Sequence, residues 1–193
     1  MSKVVKFGGS SLADANQFRK VADIIRSDKE RRYVVPSAPG KRFKDDIKVT
    51  DMLYACYDAV ANEGKNAYNQ FAPIAERFNG IISDLGLTLS LDDEYEVIID
   101  NFRKKAGKDY AASRGEYLNG IILANYLGYE FVDAAKMLCH LLIAEFVNFR
   151  HQSVKEVTVV RNDNQRTVKI HQRLFEDIFG FHVEVVGRLI QNQ

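Results

Sequence analysis

The amino-terminal segment is the feature that most constrains how this chain can fold. A short apolar strand, Lys3 to Phe7, leads into the glycine-rich turn Gly8-Gly9-Ser10-Ser11. The segment from Ala13 to Ser27 carries apolar residues at helical spacing, and a β-branched and aromatic run follows at Arg32 to Val35. A strand, a helix and a strand within about 35 residues predict a parallel βαβ unit with a right-handed crossover.

The glycine turn has the composition of a phosphate-binding loop. Glycine permits positive φ angles and lets backbone N–H groups approach a ligand without an intervening side chain. Lys6 and the serine hydroxyls add charge and donors, and the helix that follows would present its N-terminus to an anion. The order of residues excludes a Walker A loop, in which the lysine follows the glycines. On these residues alone, an ordinary strand ending in a glycine turn explains the pattern equally well.

The middle of the chain is predicted to be helical. Apolar residues recur at three- and four-residue spacing from Thr50 to about Leu85, which indicates two consecutive helices, and again from Asp92 to Lys105. Ser113 and Glu116 have the spacing of a capping box at the start of a further helix. The polar segment Pro39 to Val49 is predicted to be a long loop that could serve as a lid or a binding loop.

The last third of the chain mixes both patterns. Leu138 to Phe149 has the spacing of a helix, and the β-rich runs at 156–160 and 166–170 flank an Asn/Asp-rich loop, which predicts a hairpin. A short helix at 174–179 and a final strand at His182 to Ile190 complete the prediction. This segment could finish the sheet begun by the amino-terminal strands.

Composition excludes several functional classes. The formal net charge is +1, so no overall field draws the chain to nucleic acid or to an anionic membrane. The longest apolar run, Met137 to Ala144, is far shorter than the ~20 residues of a membrane span. The amino terminus lacks the pattern of a signal peptide, so a cytoplasmic protein is expected. Cys56 and Cys139 are expected to be buried thiols, and the scattered histidines show no metal-ligand spacing.

An amino-terminal motif and four further motifs, in order along the chain, resemble those of the aspartokinases, which are members of the amino-acid kinase family. The first is Lys6-Phe7-Gly8-Gly9-Ser10-Ser11-Leu12-Ala13-Asp14-Ala15, and the second strand ends in Val34-Val35-Pro36-Ser37-Ala38-Pro39-Gly40. Thr50-Asp51-Met52-Leu53, Ser113-Arg114-Gly115-Glu116 and Phe131-Val132-Asp133-Ala134 follow. The resemblance covers about residues 1–138 and implies an α/β fold, a mostly parallel sheet sandwiched by helices, with a helical insertion.

The resemblance also implies roles for individual residues. Lys6 would be the catalytic residue that supplies charge to the transferring phosphoryl group, and the backbone of Gly8, Gly9 and Ser10 would cradle phosphate oxygens. Thr50 and Glu116 would bind L-aspartate, with the glutamate taking its ammonium group. ATP would be the cofactor, accompanied by Mg²⁺ held through phosphate oxygens and water, and no metal site built from protein side chains is expected.

One expected element is not found in the sequence. Aspartokinases continue with a nucleotide-binding half that carries a Gly-Gly-Ser-Asp element, whereas no Gly-Gly pair follows Gly9 here. The chain is therefore interpreted as an amino-acid kinase-like region at 1–138 with a divergent αβ tail at 139–193. Three hypotheses stay open: a weak or incomplete aspartate kinase, a non-catalytic module that binds an amino acid or an anion, and a truncated or recombined gene product. An oligomer or a partner chain could supply the missing half.

Overall fold

A computed structural model describes residues 2–136 and the backbone of residues 182–185. The chain forms two compact units, Met1–Phe131 with Phe181–Gln193, and Val132–Gly180. The first unit contains a sheet of three parallel strands, β1 (Lys3–Phe7), β2 (Arg31–Pro36) and β3 (His182–Val185), in the order β2-β1-β3.

The predicted βαβ unit is confirmed. Helix α1 (Ala15–Arg26) connects β1 to its parallel neighbour β2. It starts two residues later than predicted because Asp14 caps it, its side chain accepting a hydrogen bond from the Gln17 N–H at 3.0 Å. A short 3₁₀ helix, Gly9–Leu12, lies between the glycine turn and α1. The predicted apolar stripe of α1 is buried: Phe18, Val21, Ala22 and Ile25.

In the described part of the chain after β2, four successive helices form the helical insertion. They are α2 (Val49–Ala61), α3 (Ala67–Asp84), α4 (Asp92–Arg103) and α5 (Lys108–Leu127). The predicted pair of consecutive helices corresponds to α2 and α3, and Gly64 between them has φ of 66°. The predicted capping box is wrong, because α5 begins after Gly107 and Ser113 lies inside the helix, donating its hydroxyl to the Tyr110 carbonyl at 2.8 Å.

One face of the sheet and the helices share an apolar core. Val5 and Phe7 of β1 are fully buried, while Lys6 between them is exposed, as the alternation of a strand requires. The other large buried side chains include Phe71, Phe78 and Phe102. The predicted α/β class with parallel strands is thereby confirmed. Among the described helices, none is both long and apolar enough to cross a membrane.

Several predictions for the tail fall outside the described residues. These are the helix at 138–149, the hairpin at 156–170, the short helix at 174–179 and the environment of Cys139. The predicted last strand is confirmed for His182–Val185, which pairs in parallel with β1. The division of the chain at residue 138 stays a prediction.

Candidate functional site

The candidate site lies where β1 and β2 end side by side. Parallel strands that are neighbours place their carboxyl ends, and the loops that follow them, at the same edge of a sheet. The loop after β2 stays beside the glycine turn, because the Ser37 N–H donates to the Phe7 carbonyl at 3.0 Å and the Gly40 N–H donates to the Gly9 carbonyl at 2.8 Å. The two segments form one surface, which is where ligands bind in sheets of this kind.

Gly9 and Gly40 are required by this close approach rather than by their backbone angles. A Cβ on Gly9 would lie 2.8 Å from the Ala38 carbonyl oxygen, and a Cβ on Gly40 would lie 2.7 Å from the Gly9 carbonyl carbon. Neither Gly8 nor Gly9 has positive φ; Gly8 has φ of −75°. The expectation that the turn needs positive φ is therefore wrong, because the chain bends through a 3₁₀ helix instead.

The open side of the turn fits an anion. No atom of the described residues lies within 4 Å of where a Cβ on Gly8 would point. Among the described residues, neither Gly9 nor Ser10 donates its N–H to a backbone carbonyl, whereas the Ser11 N–H donates to Gly8 at 3.0 Å. The N–H groups that could donate to an anion here are therefore those of Gly9 and Ser10. The N-terminus of α1 is occupied by the Asp14 carboxylate, which corrects the expectation that this helix would contribute its dipole.

Lys6 and Glu116, far apart in sequence, are brought together at this edge. Lys6 is exposed on β1, and its positive charge is near enough to the Glu116 carboxyl of α5 to favour the ionised form of that carboxyl. Partial burial raises the pKa of Glu116, and the nearby Lys6 charge acts in the opposite direction. A ligand between them would meet a cation on one side and a carboxylate on the other.

Small residues on α5 hold Glu116 in this place. A Cβ on Gly115 would lie 2.7 Å from the Ala38 Cβ and 3.2 Å from the Leu53 Cδ1, so the helix packs directly on the loop after β2 and on α2. Asn119, one turn later, is fully buried and donates its Nδ2 to the Ser37 carbonyl at 2.7 Å. Asn119 was not predicted, because its role depends on a loop far from it in sequence.

Thr50 occupies the first turn of α2, which borders the same contact. The Val49 N–H donates to the Pro39 carbonyl at 3.1 Å, so the loop after β2 leads straight into this helix. Lys48 at the N-cap makes no side-chain capping bond, and Thr50 is half-buried. Val49 also lies 3.6 Å from the position of a Cβ on Gly115, which places the start of α2 beside the residue preceding Glu116.

Arg114, in the same motif as Glu116, is engaged elsewhere. Its guanidinium carbon lies 4.5 Å from the ring centre of Tyr110 and 4.6 Å from that of Tyr117, an arrangement stabilised by cation–π attraction. Residues two apart on a helix point about 200° apart around its axis. Arg114 therefore belongs to the packing of α5 rather than to the Glu116 face.

Asp46 lies beside the candidate site in an ion-pair network. It pairs with Arg42 at 2.8 Å and with Arg77 at 2.7 Å, and hydrogen bonds from these arginines hold the pKa of its carboxyl well below the usual range. In the part of the chain that is described, no cluster of three or more His, Cys, Asp or Glu side chains could hold a metal ion.

Cys56 is a buried thiol, as predicted. Burial raises its pKa to about 12, so the thiol stays protonated near neutral pH and is a poor nucleophile. No role in the candidate site follows for it.

Replacing Gly40 with alanine is expected to destabilise the protein by about 1–3 kcal/mol, because the new Cβ would meet backbone atoms of Gly9 and Ser10 within 2.9 Å. Gly80→Ala is the matched control. Its Cβ meets nothing within 4 Å and it lies inside α3, so that variant should gain about 0.5–1 kcal/mol. Urea unfolding measures both free energies. A Gly40→Ala variant as stable as the wild type would contradict the close approach.

The sequence matches the model of the amino acid kinase family over residues 1–179, which extends beyond the last of the aspartokinase-like motifs. It is 38% identical to aspartokinase 3 of Bacillus subtilis (strain 168) over 195 residues, an alignment that covers 93% of this chain and 40% of that protein. The chain thus spans well under half of the length of this relative.

The fold is similar to those of solved aspartate kinases. The crystal structure of Clostridium acetobutylicum aspartate kinase matches with a TM-score of 0.64 and 51% identity, covering 68% of this chain and 30% of that one. E. coli aspartokinase III in complex with aspartate and ADP matches with a TM-score of 0.51 and 24% identity, covering 66% and 29%, and shows the fold alone. Together with the family match over most of its length, these similarities establish that the chain belongs to the amino acid kinase family, as an aspartokinase-like amino-terminal part.

Proposed function

We propose that the chain forms the aspartate- and phosphate-binding part of an aspartate kinase, which transfers a phosphoryl group from ATP to L-aspartate to give 4-phospho-L-aspartate. The observation that carries the proposal is the glycine turn at the carboxyl end of parallel strands, where the Lys6 charge also acts on the Glu116 carboxyl. The similarity to the aspartokinases named above supports the choice of substrates.

The turn would hold the phosphate groups of ATP. The N–H groups of Gly9 and Ser10 have no backbone acceptor among the described residues, and the space beside Gly8 is open. Lys6, the proposed catalytic residue, would place its ammonium group against the transferring phosphoryl group, where negative charge concentrates during the reaction. These groups fit a polyphosphate because they combine donors, charge and free space.

Glu116 and Thr50 would hold the amino acid. The Glu116 carboxylate would accept hydrogen bonds from the ligand's ammonium group, and Thr50 would donate its hydroxyl to a ligand carboxylate at the first turn of α2, where the helix dipole also favours an anion. The ammonium end of the amino acid would then lie at Glu116, and the carboxylate that reacts would face the phosphoryl group held by Lys6.

The reaction asks for positioning rather than for a protein base. A side-chain carboxylate oxygen of L-aspartate, ionised at neutral pH, attacks the γ-phosphorus of ATP. The new oxygen–phosphorus bond forms as the bond to the β,γ-bridging oxygen breaks, and ADP leaves with that electron pair. Lys6 and the backbone donors of the turn would orient the phosphate, and Glu116 would orient the nucleophile.

Mg²⁺ would come with the nucleotide. The described residues offer no cluster of carboxylates and histidines for it, and Asp46 is already paired with Arg42 and Arg77. The side chains of this region therefore do not form a metal cage, and we assign no step to a protein-bound ion.

A binding module without phosphoryl transfer is the competing proposal. Among the described residues, Asp46 is a buried carboxylate near the turn, and it is paired with two arginines. This pairing favours the binding module, because the carboxylate is then not available to a catalytic metal ion. Calorimetric titration of the 193-residue chain with L-aspartate, with MgADP and with MgATP tests both proposals. We expect the affinity for aspartate to be closer to that of full-length aspartokinases than the affinity for nucleotide is. Absence of saturable aspartate binding at millimolar concentration would overturn the kinase proposal, and absence of both aspartate and nucleotide binding would overturn the two proposals together.

Replacing Glu116 with Gln is expected to weaken L-aspartate binding by about tenfold or more, because a charged hydrogen bond to the ammonium group is lost. Succinate, which lacks that group, should bind the two proteins equally. Glu130→Gln, which removes one exposed carboxylate elsewhere, is the matched control. Equal affinities of wild type and Glu116→Gln for aspartate would remove Glu116 from the site.

The same variant gives a pH signature. Because burial raises the pKa of Glu116, the wild-type carboxyl takes up a proton at a higher pH than an ordinary glutamate. Aspartate binding should therefore weaken as the pH falls through that raised pKa, before the ligand's own side chain titrates near pH ~3.9. Affinities measured between pH 7 and pH 4 should show this early loss in the wild type and not in Glu116→Gln.

A further inference from the structure

We propose that Arg77 is a positioning residue that fixes the geometry of the phosphate-binding turn from behind. This inference rests on the proposed function for the meaning of the turn, although its structural readout can be measured independently. Arg77 lies on α3, and its side chain is only 5% exposed. The sequence pattern did not predict a role for Arg77, because it resembles any charged residue on an amphipathic helix.

The Arg77 guanidinium donates to three acceptors in two segments of the chain, the end of the glycine turn and the loop after β2. One terminal nitrogen donates to the Ala13 carbonyl at 3.0 Å and to the Gly40 carbonyl at 2.7 Å, and the other donates to the Asp46 carboxylate at 2.7 Å. Two of these acceptors are backbone carbonyls that lie at the edges of the candidate site.

These contacts close a ring around the turn. The Gly40 N–H donates to Gly9 at 2.8 Å, and the Gly40 carbonyl accepts from Arg77, which also binds the carbonyl of Ala13. Residues 9–13 complete the ring through the chain itself. The 3₁₀ helix that carries the phosphate-binding N–H groups is therefore held at its start by Gly40 and just after its end by Arg77.

Asp46 keeps the arginine in place. Its carboxylate accepts hydrogen bonds from the Arg42 N–H at 2.9 Å, from the Arg42 side chain at 2.8 Å and 2.9 Å, and from Arg77. A buried guanidinium needs such a partner, because an unpaired buried charge is costly. Lysine could not replace it, since an ammonium is a point charge that cannot reach three acceptors arranged around a planar fork.

The first test compares Arg77→Lys with Arg31→Lys. Arg31 is also largely buried and donates to the Ile24 carbonyl, but it lies at the opposite end of β2. Amide hydrogen exchange of Gly40 should be at least about tenfold faster in Arg77→Lys and unchanged in Arg31→Lys. Tripolyphosphate should bind Arg77→Lys about tenfold more weakly and Arg31→Lys within about twofold of the wild type. Unchanged exchange at Gly40 would overturn the proposal.

A second variant separates positioning from folding. A cleft of about 420 Å³ is lined in part by Arg77, Arg42 and Met52, so a small solute has a route to the space that Arg77→Ala would leave. Millimolar methylguanidinium should restore both the slow Gly40 exchange and tripolyphosphate binding in Arg77→Ala. It should restore nothing in Arg31→Ala. Folded Arg77→Ala protein that binds tripolyphosphate like the wild type without methylguanidinium would overturn the proposal.

The two hypotheses fail in different ways. If the wild-type chain binds neither tripolyphosphate nor aspartate, the proposed function is wrong, but the Gly40 exchange rates still test whether Arg77 fixes the turn. If the wild type binds tripolyphosphate and the Arg77 variants bind it equally well, the site stands and the positioning role is wrong.

Discussion

Replacing Lys6 with alanine is expected to weaken the binding of tripolyphosphate and MgADP by about tenfold or more. Lys6 is exposed on the central strand of the described sheet, beside the turn in which the N–H groups of Gly9 and Ser10 have no backbone acceptor among the described residues. An ammonium group next to a phosphate forms a charge-assisted hydrogen bond, and losing one of these costs on the order of 1.5–3 kcal/mol. Calorimetry at fixed ionic strength measures the change.

Lys20→Ala is the matched control for this experiment. Lys20 is an exposed lysine on α1, so its removal changes the net charge equally without touching the turn. A similar loss of affinity in both variants would indicate a general electrostatic effect. Equal affinity of Lys6→Ala and the wild type would take the turn out of the binding site.

The 193-residue chain, purified alone, is expected to phosphorylate L-aspartate at a rate near background. Transfer of a phosphoryl group needs charge stabilisation from several directions, and loss of one preorganised group costs ~10²–10³ in rate. The sequence contains no second Gly-Gly pair after Gly9 and therefore no Gly-Gly-Ser-Asp element of the kind found in aspartokinases. Several groups of the catalytic site would be missing from the isolated chain.

Hydroxylamine trapping of aspartyl phosphate at high protein concentration measures this rate. Lys6→Ala, prepared in the same way, reports any contaminating kinase from the expression host. A turnover of about 1 s⁻¹ or more, the lower range for kinases, would show that other residues of the chain complete the catalytic site. It would also decide against the binding-module proposal.

Local sequence patterns predicted the elements well. The first strand, the helix after it and the second strand form the predicted βαβ unit, and the helical stripes of Phe18 and Phe102 are buried. These features depend on the two periodicities of side chains, which can be read within a short window. The capping box at Ser113 failed because the same spacing also occurs inside a helix, where Ser113 bonds the Tyr110 carbonyl instead.

The sequence by itself determined the composition of the candidate site: a lysine before a glycine turn, a threonine after a long loop, and a glutamate in a separate motif. Only the tertiary structure decided how these parts meet. The effect of the Lys6 charge on Glu116, the close approach of Gly9 and Gly40, and the bonds from Arg77 to Ala13 and Gly40 all join residues distant in the chain. The physical reason is that such contacts depend on which surfaces pack together, whereas propensity and periodicity describe only neighbours along the chain.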